Sequence, residues 1–241
     1  MKPTVVLTRP GSDNRELANR LEAEGWIVLV QPVMRITPID PGLPPAITAE
    51  TKVIFISANA VEHGLRTLRT VLTEASATCF AVGRRTASAL ATAGITAVCP
   101  ERADSEGLLA LPSLSDVTGD TVLLVKGEGG RQLLAETLSA RGAQVVEYCC
   151  YRRDQESVDA RAFCERLSAA ESLLFQANSV DTLDYLEAIL STGGYLPRDE
   201  AVLAVPSARV AGVARARGWQ QVLELVDAGD NTFSDALNAY R

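Results

Sequence analysis

One pattern limits the fold more than any other, because it occurs twice. Residues 121–153, TVLLVKGEGGRQLLAETLSARGAQVVEYCCYRR, read as a buried strand, a Gly-rich turn, a helix and a second strand. Subtracting 117 sets Thr121 on Thr4, Leu124 on Leu7, Lys126 on Arg9, Leu134 on Leu17, Ala135 on Ala18, Leu138 on Leu21, Gly142 on Gly25 and Arg152 on Arg35. Subtracting 119 sets Ala177, Asn178 and Val180 on Ala58, Asn59 and Val61. Subtracting 124 sets Ser207 on Gly83, Arg209 on Arg85, Ala211 on Ala87 and Gly218 on Gly94. A shared order at near-constant offset marks an internal duplication, with halves of about 120 residues.

Each half alternates continuous apolar runs, as in TVVL or KVIF, with amphipathic segments closed by glycine. Apolar runs of that kind suit strands buried on both faces, so the alternation predicts an α/β fold of parallel sheets flanked by helices. Five prolines between Pro32 and Pro45 (Pro32, Pro38, Pro41, Pro44 and Pro45) exclude a helix there and predict an extended linker. Ser57 or Asn59 is placed to cap the helix after Lys52–Ile56.

Ligands of such sheets bind beyond the carboxyl ends of the strands. The turns that matter are therefore TRPGSDN, ISANAV, VGRRTA, VKGEGGR, QANSV and VPSARVA. Each opens a helix, whose first amides lack partners and carry partial positive charge. The basic residues Arg9, Arg84, Arg85, Lys126, Arg131 and Arg209 fall in these turns, although the net charge of the 241-residue chain is -7. Gly83, Gly127, Gly129 and Gly130 allow close backbone approach. The set points to a polyanionic small ligand.

Other chemistries are excluded or disfavoured. The acidic balance argues against a nucleic-acid binder. VKGEGGR lacks the Lys-Ser/Thr of a phosphate-binding P-loop and is not G-x-G-x-x-G. His63 is the only histidine, which leaves no Ser-His-Asp machine in view and, with no C-x-x-C pair among the five cysteines, no metal site. Reduced cysteines, the lack of a membrane-length apolar run and the lack of a signal-like segment before Thr4 predict a cytoplasmic protein. Tyr151 stands apart, at the end of an apolar strand beside Arg152 and Arg153, where a neutral phenol can donate a hydrogen bond at pH 7.

In order along the chain, LTRP (Leu7–Pro10), FISANAV (Phe55–Val61), AVGRRTASAL (Ala81–Leu90), VKGEGGR (Val125–Arg131), Tyr151 with Arg152, FQANSV (Phe175–Val180) and VPSARVA (Val205–Ala211) resemble the uroporphyrinogen-III synthase family. The repeat alone would give each half its own domain. The resemblance implies instead a discontinuous first α/β domain (residues 1–34 and 155–241) and a second (40–147). Crossing strands at 33–39 and 148–154 would form a two-stranded β-ribbon hinge. The reaction implied is cyclisation of the linear tetrapyrrole hydroxymethylbilane to uroporphyrinogen III in haem biosynthesis, with loss of water and inversion of the terminal ring. It makes the protein a hydro-lyase that needs no cofactor or metal.

The family's tyrosine, proposed to hydrogen-bond the departing hydroxyl, corresponds to Tyr151. The substrate carries eight carboxylates. The contacts implied for it are Thr8, Arg9, Ser57, Ala58, Asn59, Gly83, Arg84, Thr86, Lys126, Gly127, Gly129, Gly130, Arg131, Gln176, Ala177, Asn178, Ser179, Ser207 and Arg209, with Gln176 in the place of Ser57 and Val210 in that of Thr86. The expected partners are this polycarboxylate and, transiently, the upstream bilane-forming enzyme, with no nucleic acid and no membrane, for a monomer. Two alternatives share the same turns: a non-catalytic two-domain binding protein for an anionic metabolite, and a nucleotide-dependent transferase using VKGEGGR as a phosphate loop.

Overall fold

The structure, a computed structural model, describes residues 4–130 and 132–240, the side chains at 12 and 13 excepted. The strands are β1 (Thr4–Leu7), β2 (Ile27–Val30), β3 (Met34–Pro38), β4 (Lys52–Phe55), β5 (Thr78–Ala81), β6 (Ala97–Val98), β7 (Thr121–Gly127), β8 (Gln144–Gln155), β9 (Leu173–Gln176), β10 (Val202–Val205) and β11 (Gln221–Glu224). The α-helices are α1 (Arg15–Ala23), α2 (Ala58–Ala75), α3 (Arg84–Thr92), α4 (Ser105–Leu109), α5 (Leu133–Ala140), α6 (Ala160–Ser168), α7 (Val180–Thr192), α8 (Ala208–Ala216) and α9 (Asp230–Tyr240).

One sheet has the order β11-β10-β9-β1-β2, the other β3-β8-β7-β4-β5-β6. The strands β1, β9 and β10, and β4 and β7, pair in parallel and are buried almost throughout, which explains their unbroken apolar sequences. Each sheet has a core on both faces. Val6, Phe175, Leu203 and Trp219 pack on one side of the first, and Val5, Leu7, Leu21 and Phe233 on the other. For the second sheet the corresponding sets are Phe55, Leu68 and Val125 against Ile54, Phe80 and Leu124. The helices supply apolar stripes at helical spacing, as with Val61, Leu65, Leu68 and Leu72 of α2.

Contacts divide the chain into two compact units, residues 1–35 with 154–241, and residues 36–153. The two consecutive domains suggested by the repeat are therefore not what forms: β1 and β2 complete the sheet of β9–β11. A parallel strand needs neighbours on both sides to bury its polar backbone, and β1 finds them in β2 and β9.

Within the proline-rich stretch Met34–Pro38 forms β3 beside β8. Ile39 N donates to Cys150 O at 3.2 Å and Glu156 N to Val33 O at 2.9 Å, so the two strands run antiparallel. Pro38 is tolerated because β3 is an edge strand.

The offsets of 117 and 124 hold in three dimensions: Gly25 and Gly142 end α1 and α5 with φ of 81° and 87°, and Gly83 and Ser207 are both N-caps. The offset of 119 does not. Ser57 caps α2 and Ser179 caps α7, so Ser179 is the counterpart of Ser57, while Gln176 is the last residue of β9. Asn59 lies inside α2 and caps nothing, whereas Asn178 precedes its cap.

Candidate active site

In the first unit the parallel strands β1, β9 and β10 end side by side, with β1 and β9 at the point where the strand order reverses. Thr8 and Arg9 follow β1; Gln176, Ala177, Asn178 and Ser179 follow or end β9; Ser207 and Arg209 follow β10. Eight of the expected contacts thus share one edge.

Several are occupied internally. Thr8 is buried and its hydroxyl donates to Gln176 O. Arg9 is also buried, forms an ion pair with Asp230 at the start of α9 and donates to Ala228 O at 3.3 Å. With its amide turned to suit both groups, Gln176 accepts from Arg9 Nη2 at 2.8 Å. Ser179 Oγ accepts from Thr182 N at 3.1 Å, and Ser207 Oγ sits 3.5 Å from Val210 N, too long for a strong cap. Arg209 is exposed in the first turn of α8.

In the second unit the order reverses between β4 and β7. Ser57, Ala58 and Asn59 follow β4, Gly83, Arg84 and Thr86 follow β5, and Gly127 ends β7 ahead of Gly129 and Gly130. Arg131 lies outside the described residues. Ser57 Oγ accepts from Ala60 N at 3.0 Å. Gly83 has no side chain with which to cap the first turn of α3. Thr86 is buried; Arg84 is exposed. Lys126, expected in a turn, is instead a buried residue of β7, and its ammonium donates to Glu147 at 2.7 Å.

Tyr151 reaches the same edge by a register shift. The pairing of β7 with β8 sets Lys126 opposite Cys149 but Gly127 opposite Tyr151, so Cys150 is the extra residue of a bulge. A bulge re-aims the side chain that follows it. The ring of Tyr151 lies on Gly127, where a Cβ would sit 2.6 Å from Cε2 and Cζ. Its hydroxyl is 3.0 Å from Ser57 Oγ and accepts from Arg153 Nη2 at 3.2 Å. The side chain is fully buried, in contact with residues of its own unit. Tyr148, by contrast, bonds Thr67 at 2.8 Å and Gly42 O at 3.3 Å.

Sequence reasoning gave three neighbours no place in the site. Arg153 is two residues from Tyr151 on one strand, which puts both side chains on the same face. The His63 ring is 5.8 Å from that of Tyr151, tilted by 38°, and its buried Nδ1 has no partner. Burial lowers the His63 pKa, Glu62 opposing the shift and Arg66 adding to it. Burial also pushes the Cys150 thiol up to about 11, which leaves it protonated and poorly nucleophilic at neutral pH. Among the described residues no group of three or more His, Cys, Asp or Glu could hold a metal ion, and no helix is long and apolar enough to cross a membrane.

Comparison with known proteins gives the family. The family profile described as Uroporphyrinogen-III synthase HemD matches residues 15–225. The chain belongs to the uroporphyrinogen-III synthase family. It is 30% identical to the uroporphyrinogen-III synthase of Escherichia coli K12 over 250 residues, covering 97% of this chain and 98% of the relative. The Salmonella typhimurium protein of the same name is 31% identical, over 97% and 98%.

Among solved structures, uroporphyrinogen-III synthetase from Helicobacter pylori superposes with a TM-score of 0.71 at 13% identity, covering all of both chains. A mutant uroporphyrinogen III synthase from Thermus thermophilus gives 0.60 at 18%, over 98% of this chain and 99% of the other. At such identities these two show the fold. The family cyclises hydroxymethylbilane in tetrapyrrole biosynthesis, and membership favours the catalytic reading over the non-catalytic binding protein.

Proposed function

We propose that this chain converts hydroxymethylbilane to uroporphyrinogen III as a hydro-lyase, with Tyr151 hydrogen-bonding the departing hydroxyl. The observation that carries the assignment is the bulge in β8, which sets the Tyr151 phenol at the carboxyl edge of its sheet, beside the cap of α2. A phenol bond there assists departure of hydroxide from an electron-rich pyrrole. The cation left is delocalised over that pyrrole. The departing hydroxyl takes up one proton and leaves as water, and the closing terminal ring gives one up, so the net change is loss of water.

Orientation supplies the rest of the catalysis. The eight carboxylates of the substrate give the enzyme many handles with which to fold it so that the inverted closure is nearest. Within the second unit the first-turn amides of α3 with Arg84, and within the first unit those of α8 with Arg209, are groups suited to carboxylates. The already paired Arg9 and Lys126 act by holding the turns. The chain works as a cytoplasmic monomer in this reading.

Purified protein supplied with freshly made hydroxymethylbilane tests the assignment. Type III uroporphyrinogen should dominate, and Tyr151→Phe should lower turnover strongly without abolishing it. A product consisting only of the spontaneous, uninverted type I isomer would overturn the function. Near-normal turnover by Tyr151→Phe would remove Tyr151 from the mechanism.

A further inference from the structure

The geometry assigns Arg153 as a positioning residue for this reaction, acting through the phenol of Tyr151; the inference rests on the role proposed for Tyr151. Two observations meet at this side chain. Its Nη2 donates to Tyr151 Oη at 3.2 Å, and its guanidinium carbon lies 5.4 Å from the centroid of the Tyr151 ring. Strand geometry brings it there, since residues two apart in β8 share a face.

A guanidinium can only donate and does not lose its charge. The bond from Arg153 therefore uses the acceptor side of the phenol and fixes where the phenol proton points. The acceptor on the other side is Ser57 Oγ, 3.0 Å away. That oxygen already accepts from Ala60 N at 3.0 Å, and one lone pair remains for the phenol proton. In the free protein the proton is aimed at Ser57, and a substrate hydroxyl that takes this place meets a proton already directed at it. A donor on the phenol oxygen also strengthens the phenol as a donor, because bonds in a chain polarise one another. As the substrate hydroxyl departs, the phenol oxygen gains negative charge, and the fixed guanidinium stabilises it without reorganisation.

Arg153 could instead hold a substrate carboxylate, and a double-mutant cycle separates the roles. Arg153→Gln and Arg153→Lys are made alone and with Tyr151→Phe, and kcat, KM, the type III to type I ratio and Tm are measured on hydroxymethylbilane. If Arg153 acts through the phenol, Arg153→Gln lowers kcat about tenfold, the ratio expected for one charge-assisted hydrogen bond. KM stays within about twofold, and Arg153→Lys recovers part of the rate. In the Tyr151→Phe background, Arg153→Gln then changes kcat by less than about twofold.

Equal losses in both backgrounds, or a loss expressed in KM, overturn the assignment while leaving Tyr151 in place. Wild-type kcat in Arg153→Gln overturns it as well. If Arg153→Gln does not fold, the same cycle run with Arg153→Lys decides, since additivity there is equally fatal. Wild-type turnover by Tyr151→Phe alone removes the phenol and this inference together.

Discussion

The tightest constraint on the phenol is Gly127. Its backbone lies outside the left-handed region, so alanine meets no conformational strain there. The added methyl meets the Tyr151 ring instead, 2.6 Å from Cε2 and Cζ and 3.0 Å from Cδ2. Carbon atoms pack at about 3.5–4.0 Å, so ring and backbone must separate by about 1 Å. Neither yields easily. Gly127 is paired in β7, Glu128 N donates to Tyr151 O at 2.8 Å, and the ring is fully buried.

Overpacking of this kind costs about 1–3 kcal/mol. At about 2–4 °C per kcal/mol, Gly127→Ala should lower Tm by roughly 2–12 °C. The same shift opens the 3.0 Å contact with Ser57, and a displacement on the order of 1 Å in a catalytic group costs up to about 100-fold in rate. The assay is turnover of hydroxymethylbilane with separation of the type I and type III products, alongside thermal melting. Gly119→Ala is the control: at φ +79° with no atom within 4 Å it carries backbone strain of roughly 1 kcal/mol but pushes nothing. In a Tyr151→Phe background, Gly127→Ala should keep its Tm cost, because the ring remains, and lose its effect on kcat. A Gly127→Ala enzyme with wild-type Tm and kcat would refute the close packing on which this reasoning depends.

Two more outcomes follow from the second unit. The Cβ that Gly83→Ser adds meets nothing closer than Ala103 O at 3.6 Å, and the serine supplies α3 with the cap it lacks. It should raise stability slightly, by about a few tenths of a kcal/mol, and raise KM several-fold because the new hydroxyl competes for an amide; an unchanged KM counts against carboxylate binding at α3. His63 is held neutral by burial, so its native pKa lies below the ordinary 6.5 and the unfolded chain binds the proton first. Stability should therefore fall as pH drops below about 6.5, above the range where the lowered carboxyls of Glu187 and Asp227 begin to contribute. Because Nδ1 has no partner, His63→Leu should flatten the melting curve against pH between about 6.5 and 5, and an unaltered slope would contradict this.

The fold class was legible because buried parallel strands and amphipathic helices leave different periods in the sequence, and TVVL and RELANRLEA show them plainly. What the sequence hid was of two kinds. The first is which elements assemble: β1 looks like the start of a tandem half, yet its neighbours β2 and β9 lie on either side of a long chain excursion. Local patterns do not encode that choice. The second is single-residue register. The bulge at Cys150 moves Tyr151 onto Gly127, and three residues separate the apparent and actual counterparts of Ser57, so that Gln176 was matched where Ser179 belongs. Side-chain partners were equally invisible. Nothing in VKGEGGR says that Lys126 is buried on Glu147, and nothing in LTRP says that Arg9 meets Asp230, 221 residues away.

Those ion pairs change how the basic turns must be understood. Of the cations placed there by the sequence, Arg9 and Lys126 are buried and neutralised, so their charge is not available to a ligand without breaking the pair. Among the described residues the exposed ones are Arg84, Arg85 and Arg209, each in the first turn of a helix that holds no acidic residue in that turn. A cation at a helix N-terminus opposes the macrodipole, by roughly 0.3–1 kcal/mol per charge. Helices α1, α7 and α9 follow the usual preference and carry Glu16, Asp181 and Asp230 there. Helices α3 and α8 break it at equivalent positions of the repeat, and α6 does so with Arg161, which pairs with Glu165 one turn on. Such a placement is unfavourable in the free protein and becomes favourable once an anion sits among the amides and guanidinium groups. In each unit the mismatch falls at a helix end suited to a carboxylate, and the buried pair of that unit serves to fix the strand edge beside it.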